Sequence, residues 1–101
     1  MSYTIRFSQL ASDDLTEILG WYKEQNVEGL HKRFIEAISK VLRRLESNPQ
    51  SNAIVHKDVR QVLLKKFPHK ILYTFDNVLV EVLIIAVIHQ KRDPEIWESR
   101  V

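Results

Sequence analysis

Residues 78 to 88, Val-Leu-Val-Glu-Val-Leu-Ile-Ile-Ala-Val-Ile, are apolar at every position except Glu81. Successive side chains of a strand point to opposite faces, so a run apolar at both parities predicts a strand covered on both sides, inside a sheet rather than at its edge. The run is too short to cross a bilayer, which takes roughly 20 apolar residues in a helix. Its flanking strands are expected close by. Residues 59 to 67 and 71 to 75 have strand composition, and Phe67-Pro68-His69 and Asp76-Asn77 are turn-like breaks between them, so the three make an antiparallel meander. Within the middle strand Ile71, Tyr73 and Phe75 alternate with Lys70, Leu72 and Thr74. Near the start, Tyr3, Ile5 and Phe7 alternate with Thr4 and Arg6, which predicts a short strand with one face in the core.

Between these strands the apolar period changes from two to about 3.6. Ala11, Leu15, Ile18, Leu19 and Tyr22 predict a helix from about 9 to 25, with Ser8 as its N-cap and Asp13 and Asp14 as early carboxylates. Gly20 costs such a helix about 1 kcal/mol relative to alanine, so it is expected to mark a close contact with a neighbour. Leu30, Phe34, Ala37, Ile38, Val41, Leu42 and Leu45 predict a second helix, with Lys32, Arg33, Lys40, Arg43 and Arg44 mainly on its other side and Asn48-Pro49 as its stop. Residues 47 to 58 are polar and loop-like. After the last strand, a loop leads to a short helical turn with Pro94 near its first position. The expected architecture is α+β, in the order β-α-α-β-β-β-α, with a helical hairpin packed on one face of a small, mainly antiparallel sheet. A length of 101 residues, 45% hydrophobic, fits one domain over residues 1 to 101.

Composition removes most chemistries. With no cysteine there is no thiolate nucleophile, disulfide or zinc ribbon, and a reducing compartment, the cytoplasm, is expected. The chain start lacks the apolar stretch of a signal peptide, and no membrane partner is expected. Gly20 and Gly29, the two glycines, cannot build a phosphate-binding loop. His31, His56, His69 and His89 include no i, i+4 pair, so neither a metal nor a cofactor is expected.

The net charge of +2 is unevenly spread: residues 1 to 56 hold seven basic and seven acidic side chains, whereas 57 to 92 hold seven basic and three acidic. Lys57, Arg60, Lys65, Lys66, Lys70, Lys91 and Arg92 all belong to the meander or its ends. A period of two places Arg60 and Lys66 on one face and Lys65 on the other, so the seven do not form one patch. Such a surface suits an anionic partner, or it is ordinary solvated charge. The tail is more particular, since His89, Arg92, Trp97 and Arg100 are residue types that recognise partners. The bland alternative is that Trp97 and Ile96 dock the last turn on the core while Arg92 pairs with Asp93 or Glu95.

Taken in order, several groups of residues resemble the RelE/ParE superfamily of type II toxin–antitoxin modules, and within it the ParE-like plasmid-stabilisation group. They are Tyr3, Ile5, Phe7 and Ser8; Ala11, Asp14, Leu15, Ile18, Trp21 and Tyr22; Phe34; Leu45, Asn48 and Pro49; Arg60; Phe67 to Ile71 with Tyr73; and His89, Arg92, Pro94, Trp97 and Arg100. The resemblance covers nearly the whole chain and implies the same fold. It also implies one of two activities, because RelE-like members cleave mRNA on the ribosome whereas ParE-like members inhibit DNA gyrase.

Metal-free RNA cleavage needs a base for the 2′-hydroxyl, cations for the phosphate and an acid for the leaving oxygen. Where RelE-like toxins carry an arginine on the meander this chain has Lys70, which lacks the planar fork that grips phosphate. The lysine pair of the preceding strand falls near the uncharged Gln61 and Leu63, and the C-terminal tyrosine position holds Trp97, a donor only. The expectation is therefore a gyrase inhibitor with no catalysis of its own and no direct nucleic-acid binding. Its target-binding candidates are His89, Arg92, Trp97 and Arg100. The alternatives are a ribosome-dependent endonuclease using His89, Lys91, Arg92, Lys70 and Arg60, or an inactive relative that only binds. An antitoxin is implied as partner, its acidic and apolar side chains meeting Lys65, Lys66, Lys70 and a groove beside the helical hairpin.

Overall fold

The computed structural model describes residues 2–101. Strand β1 (Thr4–Phe7) leads into helix α1 (Gln9–Glu24), followed by α2 (Leu30–Ser47) and a 3-10 turn at Pro49–Ser51. Four strands follow, β2 (Ile54–His56), β3 (Val59–Leu63), β4 (His69–Asp76) and β5 (Glu81–His89), and then α3 (Glu95–Glu98). The sheet order is β1-β5-β4-β3-β2. β1 runs parallel to β5 and the other pairings are antiparallel. The strand apolar on both parities is interior, as its sequence requires.

One sheet face carries the helical hairpin. Phe34, Ile38, Val41 and Leu45 of α2 and Ala11 and Tyr22 of α1 pack on Ile71, Tyr73, Val82, Ile84 and Val87, with Tyr3, Ile5 and Phe7 against them. The other face carries α3, where Trp97 packs with Val59, Leu72, Ile85, Ala86 and Ile88. A bulge makes this division possible. Leu72 pairs with Ala86 and Tyr73 with Ile84, so Ile85 is the extra residue. The alternation is reset there, and consecutive Ile85 and Ala86 both turn toward α3.

Ser8 caps α1, its hydroxyl accepting from the Ala11 N–H at 3.1 Å. Four expectations require correction. Residues 54–56, expected within a loop, form an edge strand too short to show a period. Residues 78–80 belong to the β4–β5 turn, because the Asp76 carboxylate accepts from the Val78 and Leu79 N–H groups at 2.8 and 3.0 Å and curls the chain there. β3 ends at Leu63, so Lys65 and Lys66 lie in a bend where the period of two no longer applies. Gly20 marks no close contact: a Cβ there would meet nothing within 4 Å. No helix among the described residues is long and apolar enough to cross a membrane.

Candidate functional site

Pairing in the sheet sets His69, the first residue of β4, directly across from His89, the last of β5, with ring centroids 5.8 Å apart. The His89 Nδ1 accepts from the Lys91 N–H at 3.1 Å, and the Arg92 N–H donates to the His89 carbonyl at 3.0 Å, so the chain turns tightly out of β5. His69 is packed against Tyr22 and Phe34, and its Nδ1 is buried with no hydrogen-bond partner among the described residues. Burial lowers its pKa below the ordinary imidazole value, and the neighbouring His89 adds to the shift. The two rings open on a depression of about 210 Å³ whose other polar walls are Asp14, Glu17, Arg92 and Arg100. Arg92 is exposed and, among the described residues, has no ion pair, so neither Asp93 nor Glu95 holds it.

Arg100 is held within the chain. Its guanidinium grips the Asp14 carboxylate at 2.7 and 3.2 Å and also donates to the Ile85 carbonyl at 2.9 Å. Asp14 in turn accepts from the Val87 N–H at 3.1 Å. β1 ends at Phe7, opposite Ile84, so the edge of β5 beyond that point has no strand beside it. The Asp14–Arg100 pair takes that place, satisfying the backbone groups around the bulge. Trp97 lies in the core at 3% exposure. Of the tail residues expected to meet a target, His89 and Arg92 border the depression on open surface, whereas the Trp97 ring is covered and the Arg100 guanidinium is engaged.

The meander cations are also divided. Arg60 donates to the carbonyls of Gln50 and Asn52 at 2.9 and 2.6 Å and lies over the Phe75 ring, 5.3 Å from its centroid. The buried Tyr73 hydroxyl donates to the Pro49 carbonyl at 2.6 Å and accepts from the Asn52 side chain at 3.0 Å. Together they pin the segment after α2. Burial raises the Tyr73 pKa, so its hydroxyl keeps the proton that it donates. Lys70, opposite Leu63 and Ile88, is on the α3 face by strand alternation. Lys65 and Lys66 instead edge a groove of about 830 Å³ beside α2, apart from Lys70. Lys91 is exposed past the end of β5, and is not among the residues lining the depression.

His69, Asp14 and Glu17 were not among the residues expected at the site. His69 and Asp14 both stand in the pattern that carries the resemblance. Glu17 gave no signal.

The family described as ParE toxin of type II toxin-antitoxin system, parDE, matches residues 5–94. The chain belongs to this family. Solved toxins share its fold at low sequence identity. A chain of the chromosomal ParDE system of Pseudomonas aeruginosa superposes with a TM-score of 0.72 at 15% identity, over 87% of this chain and 96% of that one. A chain of the Mycobacterium tuberculosis RelBE2 toxin-antitoxin complex gives 0.62 at 19%, over 88% and 92%. A free-state mutant of the Escherichia coli toxin RelE gives 0.63 at 18%, over 97% and 93%. No curated protein matches this ParE-family chain in sequence. As in that superfamily, its architecture is α+β, with the helical hairpin on one side of a mostly antiparallel sheet.

Proposed function

We propose that this ParE-family toxin arrests growth in the cytoplasm by binding DNA gyrase, with no bond chemistry of its own, and that a cognate antitoxin neutralises it. The observation that carries the binding reading is the dispersal of the cations that the nuclease alternative would use. A metal-free ribonuclease must focus several of them on one phosphate. Here Arg60 is engaged by the carbonyls of Gln50 and Asn52, and Lys70, paired with Leu63 and Ile88, is on the other face of the sheet, the one that carries α3. Of the five nuclease candidates, only His89 and Arg92 line the depression. An exposed guanidinium on the same depression as the His89 imidazole is well suited to gripping a protein surface.

Supercoiling by purified gyrase tests this directly. Micromolar toxin is expected to inhibit it or to accumulate cleavage complexes, and the absence of both would overturn the reading. One observation favours the endonuclease instead: His69 and His89 stand close enough, beside Arg92, to divide acid and base roles. Primer extension on translated mRNA would then show codon-positioned cuts. Harmless expression of the chain without antitoxin would point to an inactive binding relative.

A further inference from the structure

His89 closes the turn that leaves β5, and it does so with two hydrogen bonds. Its carbonyl accepts from the Arg92 N–H at 3.0 Å, three residues on, and its Nδ1 accepts from the Lys91 N–H at 3.1 Å, two residues on. Aspartate and asparagine are the usual residues for this double role, because a short side chain carrying an oxygen reaches the backbone two positions ahead. The chain uses aspartate in this way at its next turn, where the Asp93 carboxylate accepts from the Glu95 N–H at 3.0 Å and the Asp93 carbonyl from the Ile96 N–H at 3.1 Å. Asp76 likewise accepts from the Val78 N–H at 2.8 Å. At the exit of β5 an imidazole stands in that place.

A ring in place of a carboxylate changes what the turn requires. A backbone N–H can only donate, so the His89 Nδ1 must hold a lone pair and the proton of the neutral ring sits on Nε2. A second proton would set an N–H against the Lys91 N–H and add a third positive charge beside Lys91 and Arg92. A carboxylate in the same position keeps its acceptor throughout the range, about pH 5 to 8, in which imidazoles change charge. The Gln90 N–H donates to the Pro68 carbonyl at 2.8 Å, which ties the preceding residue to the β3–β4 connection and leaves the Lys91 and Arg92 N–H groups to His89. The side chain placed by this turn, Arg92, lines the depression beside Glu17 and the two imidazoles.

We propose that His89 is a positioning residue: its neutral ring, protonated on Nε2, holds the Lys91 N–H and so places Arg92 on the rim of the depression, and it releases both when it takes a second proton. This deepens the target-binding reading above and rests on it only for what Arg92 grips. The groups around the ring are His69 from β4, Asp14 and Glu17 from α1, and Lys91, Arg92 and Arg100 from the tail. Of the carboxylates, Asp14 is already gripped by Arg100.

The test is NMR on the full isotope-labelled chain, with growth arrest on induction as a second readout. At about pH 7.5 the nitrogen–proton correlations of the His89 ring are expected to show Nδ1 bare and Nε2 protonated. Protection of the Lys91 and Arg92 amides against solvent exchange, corrected for the intrinsic pH dependence, should fall about three- to tenfold on going to about pH 5. His89→Asn puts an acceptor at the same reach and should keep that protection at both pH values. His89→Gln, whose amide lies one carbon further out, should lose it at both. Growth arrest should follow the same order, with Asn recovering most of what Gln lacks, and thermal melts check that both variants are folded. A ring protonated on Nδ1 at about pH 7.5, equal protection in the two variants, or wild-type protection that ignores pH would overturn the proposal. So would an Asn variant that arrests growth no better than Gln, since the ring itself would then be the contact. Harmless expression of the wild-type chain sinks the toxin reading separately, because the amide measurements on the isolated chain still decide whether His89 sets the turn.

Discussion

Asp14 and Arg100 lie 86 positions apart, yet among the described residues they form the most fully covered ion pair, their side chains only 17% and 14% exposed. The pair differs from a surface salt bridge because each partner also serves a strand: Asp14 accepts from Val87, and Arg100 donates to Ile85. Asp14→Ala would leave the guanidinium unpaired and the Val87 N–H unbonded, and a loss of about 3 kcal/mol in urea unfolding is expected. Arg100→Lys should lose part of this, because an ammonium cannot grip both carboxylate oxygens and the carbonyl together. A loss below about 0.5 kcal/mol for Asp14→Ala would mean that the pair behaves as an exposed one. His69 sets a pH dependence of its own. Its folded pKa lies below the ordinary 6.5, so between the two values the unfolded chain holds a proton that the folded chain does not. This contribution to stability is complete above 6.5, shrinks as pH falls through the window, and levels off below the folded value. The groups facing His69 are Tyr22, Phe34 and His89, with Asp14, Glu17 and Arg92 around the depression. His69→Phe keeps the aromatic contacts and removes the titration. Its drop in melting temperature between about pH 7 and pH 5 should therefore be smaller than that of wild type, and equal drops would refute the assignment.

At the scale of elements, α1 contains a residue that its own structure does not require. Gly20 keeps an ordinary helical conformation, and a methyl group added there meets open space. Gly20→Ala is thus expected to raise stability by about 0.5–1 kcal/mol, measured as a higher urea midpoint at unchanged slope. A fall would reveal a contact at that position. The same helix shows what a sequence can and cannot disclose. Its start was legible, because Ser8 is a local signal and the hydroxyl bonds three residues on. The interior position of β5 and the stop of α2 at Asn48-Pro49 were legible for the same reason. β2 was hidden by its length, and the ends of β3 and β5 were blurred because apolar composition continues into bends that Asp76 and the left-handed Lys66 impose. The candidate site was legible where one segment carries it, as at His89 and Arg92. His69 and Asp14 reach it through pairings across 20 and more residues, and no local period records those.

The molecule as a whole is a sheet with two unequal coverings, a two-helix layer on one face and the four residues of α3 on the other. A single ring provides much of the smaller cover, since Trp97 is the one residue of α3 in the buried cluster with Val59, Leu72, Ile85, Ala86 and Ile88. That makes Trp97 and Arg92 separable, although they stand five positions apart in a segment rich in recognition residues. Trp97→Ala should lose about 3–5 kcal/mol, a large part of the roughly 5–15 kcal/mol that holds such a domain together. Growth arrest on induction would then fall because little folded toxin persists, and Trp97→Phe, which refills most of the cavity, should restore much of it. Arg92→Ala removes an exposed side chain with no ion pair, and its unfolding free energy should stay within about 0.5 kcal/mol of wild type while growth arrest is lost. Circular-dichroism melts beside growth curves for the three variants distinguish the cases. If Trp97→Ala melted like wild type yet failed to arrest growth, the ring would be a contact residue for the target. If Arg92→Ala arrested growth at full strength, the surface that grips the target would lie away from the end of β5.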